Sequence, residues 1–453
     1  MRIATACVQL AGATPLELLR TTPGPRGFWA KGERWVAHVG VLASVSADPG
    51  PDRFRQVHDA AARMVGEQGP TWPVDADSRL AGRLRFYGGF SFEDEPGSSH
   101  LWIGFPAALF HLPAVELEGD AEGARLRVRA VLGPDDDPDA VRERLEKRAR
   151  EMATLVTRPT AHGGESAPSE RAAGIGELPA IASDRDAWDL SVERILQAIG
   201  AGRVRKVVLA RTLDVRPREA IDALAVLAHL WEANHGTHVF YFEPRPGRVI
   251  LGAAPETIAT LRRGVFHATA VAGSIRHGAS VEEQAGLAES LLSSGKDLAE
   301  HRITLEDMVE RLDHVAESVR ADDEPHVLAL PAIQHLESEI RARVRDGRTV
   351  LEVLAALHPT PAVCGFPREQ AQELLAREEG FERGWYAGPV GWFDLEGNGM
   401  FAPALRSAVL SDGSWRLFAG AGIVAGSRPE AEWTETGIKL ESVLRALGAA
   451  TGR

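Results

Sequence analysis

At 453 residues, with 44% hydrophobic and 25% charged residues, the chain can bury a large core. Its net charge of −13, with no basic stripe interleaved with aromatics, argues against a nucleic-acid binder, and no apolar run approaches the roughly 20 residues that span a bilayer. Two cysteines, Cys7 and Cys364, and an N-terminus without a signal-peptide core point to a reducing cytoplasm rather than a disulfide framework.

The N-terminal part reads as β-rich. Strands are expected at 27–30, 34–39, 84–92, 101–105 and 125–132, where β-branched and aromatic residues cluster between turn signals. The Asp/Pro turn from Pro134 to Pro138 announces a helix over 139–154. Residues 158–182, rich in Pro, Gly, Ala, Ser and Glu and without periodicity, are expected to form a flexible loop. Trp188, Leu190, Val192, Ile195, Leu196 and Ile199 then recur at helical spacing over 184–200, and Gly200 to Gly202 ends that helix. The chain thus divides into a β-rich segment 1–157, the loop 158–182, and a segment 183–453 that holds the chemistry-bearing motifs.

Lys206 heads a short strand over 203–211, with a solvated edge lysine as the plain alternative. The runs 240–243 and 248–252 form a hairpin through Pro244-Arg245-Pro246-Gly247. Glu256 follows the second run; its plain alternative is a dipole partner at a helix N-terminus. Asp297 and Glu300 stand three residues apart and so on one helical face, as do Glu432 and Glu435. Like charges at that spacing repel, so they either point into water or share a cation. Four carboxylates on two helices, with no thiolate or histidine cluster nearby, are the ligand set a hard cation such as Mg²⁺ prefers.

The stretch 358–365, with His358 and Thr360, reads as an irregular turn. Buried strands are expected over 385–392 and 400–406, and Arg406 at the end of such a run suggests an anion partner. After an apolar strand at 415–419, Gly420, Gly422 and Gly426 are expected to form a glycine-rich turn. Its backbone N–H groups would approach an anion at the start of the helix carrying Glu432 and Glu435.

Seven segments taken together resemble the chorismate-utilising enzymes in order and spacing over about residues 180–450. They are Lys206-Val207-Val208-Leu209-Ala210-Arg211, Gly252-Ala253-Ala254-Pro255-Glu256, Ala272-Gly273-Ser274, Lys296-Asp297-Leu298-Ala299-Glu300-His301, His358-Pro359-Thr360, Tyr386-Ala387-Gly388, and Gly420 to Gly422 with Glu432-Trp433-Thr434-Glu435-Thr436 and Lys439. The implied fold is α/β (α+β): a single large domain of two pseudo-symmetric halves, with extended antiparallel sheets packed face to face and flanked by helices. Anthranilate synthases usually carry glutamine where this chain has Lys206. Aminodeoxychorismate synthases use a lysine nucleophile where it has Ala272. Lys206 with Ala272 looks like the members that activate water, the isochorismate and salicylate synthases. The run from Thr360 to Val363 and the Glu432–Thr436 version of the metal motif look more like the former.

The activity this resemblance implies is a reversible, Mg²⁺-dependent isomerisation of chorismate to isochorismate, for menaquinone or siderophore biosynthesis. Water would attack ring C2 and the C4 hydroxyl would leave. Lys206 would be the general base and Glu256 the general acid, and burial favours the uncharged form of each. Glu300 and Glu435 would bind the metal directly, with Asp297 and Glu432 acting through its waters. Tyr386 and Arg406 would hold the enolpyruvyl carboxylate; Lys439 and the backbone at Gly420 and Gly422 would help with the ring carboxylate. Ala272, Ser274, His358 and Thr360 complete the implied substrate-binding set. His301 is either a neighbour of the metal shell or a structural histidine. Ala270-Val271-Ala272-Gly273-Ser274 replaces the more usual Pro-Ile-Ala-Gly-Thr, which keeps a salicylate synthase open as the alternative. A non-catalytic chorismate-binding subunit is the third reading, against which the full set of acid, base and ligands argues. The expected protein is a cytoplasmic monomer with no obligatory amidotransferase partner.

Overall fold

Strand alternation decides the layering. In the computed structural model, which describes residues 1–66, 72–73, 84–157 and 179–451, Val239, Tyr241, Val249 and Leu251 face one core while Phe240, Phe242 and Ile250 face another. These strands are apolar on both sides because both sides are covered. One sheet runs through Arg2–Leu10, Gly123–Leu132, Ala108–Asp120, Arg34–Ala47, Arg26–Lys31, His238–Arg245, Arg248–Ala254, Ser407–Ser411, Ser414–Val424 and Lys206–Val215, each antiparallel to the next. The first residues of Ala108–Asp120 also pair with Arg85–Phe90. From there a second sheet continues through Pro389–Asp394, Gly399–Pro403, Ala259–Arg262, Val265–Arg276 and Ile333–Val344.

The two sheets pack face to face over an aromatic core that includes Tyr87, Phe240, Phe242, Trp385, Tyr386 and Phe418. Helices Pro138–Val156, Ala223–Ala233 and Pro429–Ala450 cover the outer face of the first sheet. Helices Arg53–Val65, Gly295–Asp313 and Val350–Leu357 cover the second. The fold is therefore one α+β domain. Each sheet joins a block of N-terminal strands to a block of C-terminal strands, at 26–31 with 238–245 and at 85–90 with 389–394, so the divisions at 157 and 183 do not separate two layers.

Most expected elements form, with three differences. The apolar run 101–105 is not a strand: a 3-10 turn at His100–Trp102 and a left-handed Gly104 (φ 96°) bend it. Trp102 Nε1 there donates to the Glu382 carbonyl at 3.0 Å, which binds the run to a loop instead of a ladder. Gly420 and Gly422 do not make a turn but continue the strand Ser414–Val424, and Gly426 alone (φ 88°) turns the chain. Residues 385–388 form a turn, with the strand starting at Pro389. Of the expected loop 158–182, residues 158–178 lie outside the described residues, and Ala180–Ala182 pairs with the Lys206–Val215 strand.

Candidate active site

A cavity of about 700 Å³ opens where the strands Ser414–Val424 and Val265–Arg276 and the turns at Pro255-Glu256, Ala362-Val363, Tyr386-Ala387 and Leu405-Arg406 meet. Backbone geometry, rather than side chains alone, shapes its wall. Ala387 (φ 61°) and Arg406 (φ 46°) both hold left-handed conformations that non-glycine residues rarely adopt. Gly273 (φ 79°) forms a bulge at which the register shifts from Ala272 opposite Leu336 to Ser274 opposite His335. A Cβ at 273 would come within 3.0 Å of Asp297 Cβ, so the bulge also lets the acidic helix approach.

The strand glycines serve the same purpose. Beyond Phe418, the neighbouring strand Ser407–Ser411 no longer pairs with Ser414–Val424, and the freed edge faces the cavity. A Cβ at Gly422 would overlap Glu300 Oε1, and one at Gly420 would stand 3.1 Å from the Tyr386 hydroxyl. Close packing of functional groups against bare backbone explains why glycine interrupts an apolar strand here.

At the acidic end, Ser294 caps the helix Gly295–Asp313, its hydroxyl accepting from Asp297 N–H. The helix Pro429–Ala450 is fastened by Arg211, whose Nε donates to Thr436 Oγ1 at 2.6 Å and whose guanidinium lies 3.8 Å from the Trp433 ring centre. Asp297 and Glu300, and Glu432 and Glu435, thereby converge. Glu300 lines the cavity and meets Lys206 Nζ at 3.1 Å; Glu432 meets Lys296 at 2.6 Å; Glu435 meets Lys439 at 2.7 Å. Asp297 bonds the Ser294 hydroxyl. Among the described residues no three acidic, His or Cys side chains stand close enough to form a ready-made metal cluster, and lysines pair with Glu300, Glu432 and Glu435. The donor set nonetheless suits a hard divalent cation. Burial pushes Asp297 and Glu432 above the ordinary carboxylate range; the charges of Glu300 and then Glu435 add to it at Asp297, and that of Glu435 at Glu432. Such mutual repulsion is what a bound cation relieves.

Lys206, at the head of the Lys206–Val215 strand, is fully buried behind the cavity lining and also donates to Thr304 Oγ1 at 3.2 Å. Its setting is an ion pair, not the apolar pocket that burial alone implies. Glu256 is 1% exposed and its Oε1 has no hydrogen-bond partner. Burial pushes its carboxyl up to about 8, with Lys206 opposing and Glu337 adding, so it carries a proton at pH 7.

The cationic end is built on Arg406. Its Nη2 donates to His335 Nε2 at 2.5 Å, and no carboxylate pairs with it among the described residues. Burial lowers it to about 10, yet it stays charged at pH 7. A guanidinium only donates, so His335 Nδ1 must carry the imidazole proton and give it to Ser274 Oγ, 2.9 Å away. Burial, Arg406 and Lys439 hold His335 well below its ordinary value, and it is neutral. Tyr386 stacks on Phe418 with ring centres 4.8 Å apart, and Lys439 donates to the Gly420 carbonyl at 2.9 Å.

The cavity thus gathers Glu256, Ala272, Ser274, Glu300, Tyr386, Arg406, Gly420, Gly422 and Lys439. His358 and Thr360 stand outside its lining: His358 Nε2 bonds the Phe92 carbonyl at 3.0 Å, and both are buried. Ala362 and Val363 line it in their place. His301 is buried outside the lining and bonds Ser338 at 2.8 Å. Sequence reasoning missed His335 and the counter-ion Lys296. The run Ile333-Gln334-His335-Leu336 carries no clear signal for His335.

The chain matches the family described as Chorismate binding enzyme over residues 2–448. It is 36% identical over 379 residues to the salicylate biosynthesis isochorismate synthase of Pseudomonas aeruginosa, across 83% of this chain and 77% of that protein. With isochorismate synthase MenF of Bacillus subtilis it shares 31% identity over 430 residues, across 94% and 88%. Among solved structures it is similar to the menaquinone-specific isochorismate synthase MenF of Escherichia coli, with a TM-score of 0.77 and 25% identity over 98% of this chain and 94% of that one. Anthranilate synthase component I from Streptococcus pneumoniae shares the fold, with a TM-score of 0.71 at 20% identity over 92% and 93%.

Proposed function

The chain belongs to the chorismate-binding enzyme family, and on that premise we propose that it is an isochorismate synthase. The observation that carries this reading is a buried, proton-bearing Glu256 on the cavity and a buried Lys206 behind its lining, joined to the lining residue Glu300, with Ala272 where a nucleophile would stand. In the forward direction Lys206, which must first lose the proton that pairs it with Glu300, takes a proton from water as the oxygen attacks ring C2. Glu256 gives its proton to the C4 hydroxyl, which leaves as water. Each transfer is worth about 10²–10⁴ in rate. One hydroxyl replaces another, so the reaction runs both ways. Arg406, lacking a carboxylate of its own, and Tyr386 hold the enolpyruvyl carboxylate, while His335 fixes the guanidinium from behind. Asp297, Glu300, Glu432 and Glu435 would hold Mg²⁺, which supplies positive charge for the ring carboxylate.

The enzyme works in the cytoplasm as a monomer without an amidotransferase. In support, Cys7 and Cys364 form no disulfide, and among the described residues no helix is long and apolar enough to cross a membrane. The product feeds menaquinone or siderophore synthesis.

The test is to incubate the purified protein with chorismate and Mg²⁺ and resolve the products by chromatography. Isochorismate alone is expected; salicylate with pyruvate would make the chain a salicylate synthase, and no product would leave it a binding subunit. EDTA should abolish turnover and Mg²⁺ restore it.

A further inference from the structure

Three lysines meet the carboxylates of the acidic end, and they are not held alike. The Lys206 side chain is 1% exposed and has a second bond, to Thr304 Oγ1 at 3.2 Å. Lys439 pairs with Glu435 one turn before it on its own helix, and its Nζ also donates to the Gly420 carbonyl at 2.9 Å. Lys296 differs from both. It stands at the start of the helix Gly295–Asp313 and reaches across to Glu432 Oε1, 2.6 Å away on the helix Pro429–Ala450. Among the described residues its Nζ makes no other hydrogen bond. Its side chain is 31% exposed and that of Glu432 1%, so the ammonium can swing into water while the carboxylate stays.

The surroundings of Lys296 are those of a cation site. Burial works against its charge, yet Glu432, Glu300 and Glu435 all act on it and hold it above its ordinary value. These three carboxylates, with Asp297, are the donor set for Mg²⁺. Four carboxylates facing three lysines leave one negative charge in excess. A divalent cation added to that set turns the excess positive, and the departure of one ammonium leaves it neutral. Like charges crowded together and shielded from water repel strongly, so one lysine is driven out, and Lys296 is the least fastened.

Resting on the Mg²⁺ reading of these carboxylates, we propose that Lys296 is a tethered stand-in for the metal ion. In the metal-free protein it neutralises Glu432 and ties the two acidic helices together. On metal binding it withdraws to solvent with its charge intact. Metal binding is then the exchange of one cation for another, and it is weaker than the carboxylates alone would make it.

Calorimetric titration of Mg²⁺ into the chorismate-free protein tests this without turnover. Lys296→Gln should bind Mg²⁺ at least about tenfold more tightly than the wild type, the order of one hydrogen bond to a charged group. The same variant should melt about 2 °C below the wild type in EDTA and level with it in saturating Mg²⁺. Lys296→Arg, which keeps the charge, should follow the wild type in both. Equal Mg²⁺ affinity in Lys296→Gln and the wild type, or a melting deficit as large in Mg²⁺ as in EDTA, overturns the exchange. Failure of both proteins to bind Mg²⁺ overturns the metal reading instead. A wild type that binds Mg²⁺ but yields no isochorismate overturns the isomerase reading alone.

Discussion

Glu116 and Glu256 are both carboxyl groups with almost no solvent contact, yet the fold treats them in opposite ways. Around Glu116, Arg127 approaches to 2.8 Å, Arg129 to 3.4 Å and Arg85 to 3.9 Å, and the Tyr87 hydroxyl lies at 3.3 Å. Burial alone would raise this carboxyl; the three arginines instead bring it down to about 2. Around Glu256 burial wins, and the group sits at about 8 with one oxygen unpartnered. Arg406 mirrors Glu256: it is buried like Arg127 but has a histidine in place of a carboxylate. A charge that only holds the fold is given its counter-charge within the chain. Glu256 and Arg406, which the proposed function assigns to chemistry and substrate binding, have no such counter-charge, whereas Lys206 has Glu300.

That contrast can be broken most directly at the acid. Glu256→Gln and Lys206→Ala should each reduce turnover by about 10²–10⁴ with circular dichroism unchanged; near-normal product formation in either would end the acid–base assignment. Glu116→Ala should do the reverse. Stripping the carboxylate from three guanidiniums is expected to cost about 3–5 kcal/mol in denaturant unfolding while kcat of the folded fraction holds; a stable variant would show the arginines need no partner. Arg406→Ala removes a charge-assisted contact worth about 1.5–3 kcal/mol. It should lower kcat/KM by about 10–100-fold, and an unchanged value would mean the substrate carboxylate binds elsewhere.

The smallest effects lie in pH. Glu256 has an ordinary value of 4.5 and a folded value of about 8, so between these the unfolded chain is ionised while the folded one keeps its proton. Stability therefore falls as pH rises from about 4.5 to about 8, and Glu256→Gln should gain on the wild type across that window. Activity should also fall as pH passes about 8 and Glu256 loses its proton. Glu116 has the opposite sign: its folded value of about 2 lies below 4.5. It stabilises the fold above 4.5, and that contribution is lost as pH falls toward 2. Melting temperatures of Glu256→Gln and a Glu116→Gln variant between pH 3 and 9 should diverge from the wild type at opposite ends.

Much of the site was legible as residue types. The acidic pairs at 297/300 and 432/435 were on single helix faces because helical spacing is local, and the helices form as read. Lys206 and Glu256 sat at the ends of apolar strands, where a charged residue is out of place unless it has work to do. The roles of Gly420 and Gly422 were misread, since glycine marks a turn and a close approach alike, and only the partner says which. Here the partners, Glu300 and the Tyr386 hydroxyl, come from more than thirty residues away or more than a hundred.

Period, capping and composition are properties of neighbours along the chain, so the sequence by itself determined the β-rich start, the long helices, the carboxylate pairs and the family to which they belong. Tertiary structure alone decided which partner each charge would take. Lys206 met Glu300, Lys296 met Glu432, and Arg406 met His335 rather than a carboxylate. Those pairings depend on which strands and helices lie side by side in two sheets that each join strands from both ends of the chain. No local pattern encodes that choice, because burying an aromatic core between the sheets fixes the strand order first and the charges must then take the neighbours it gives them.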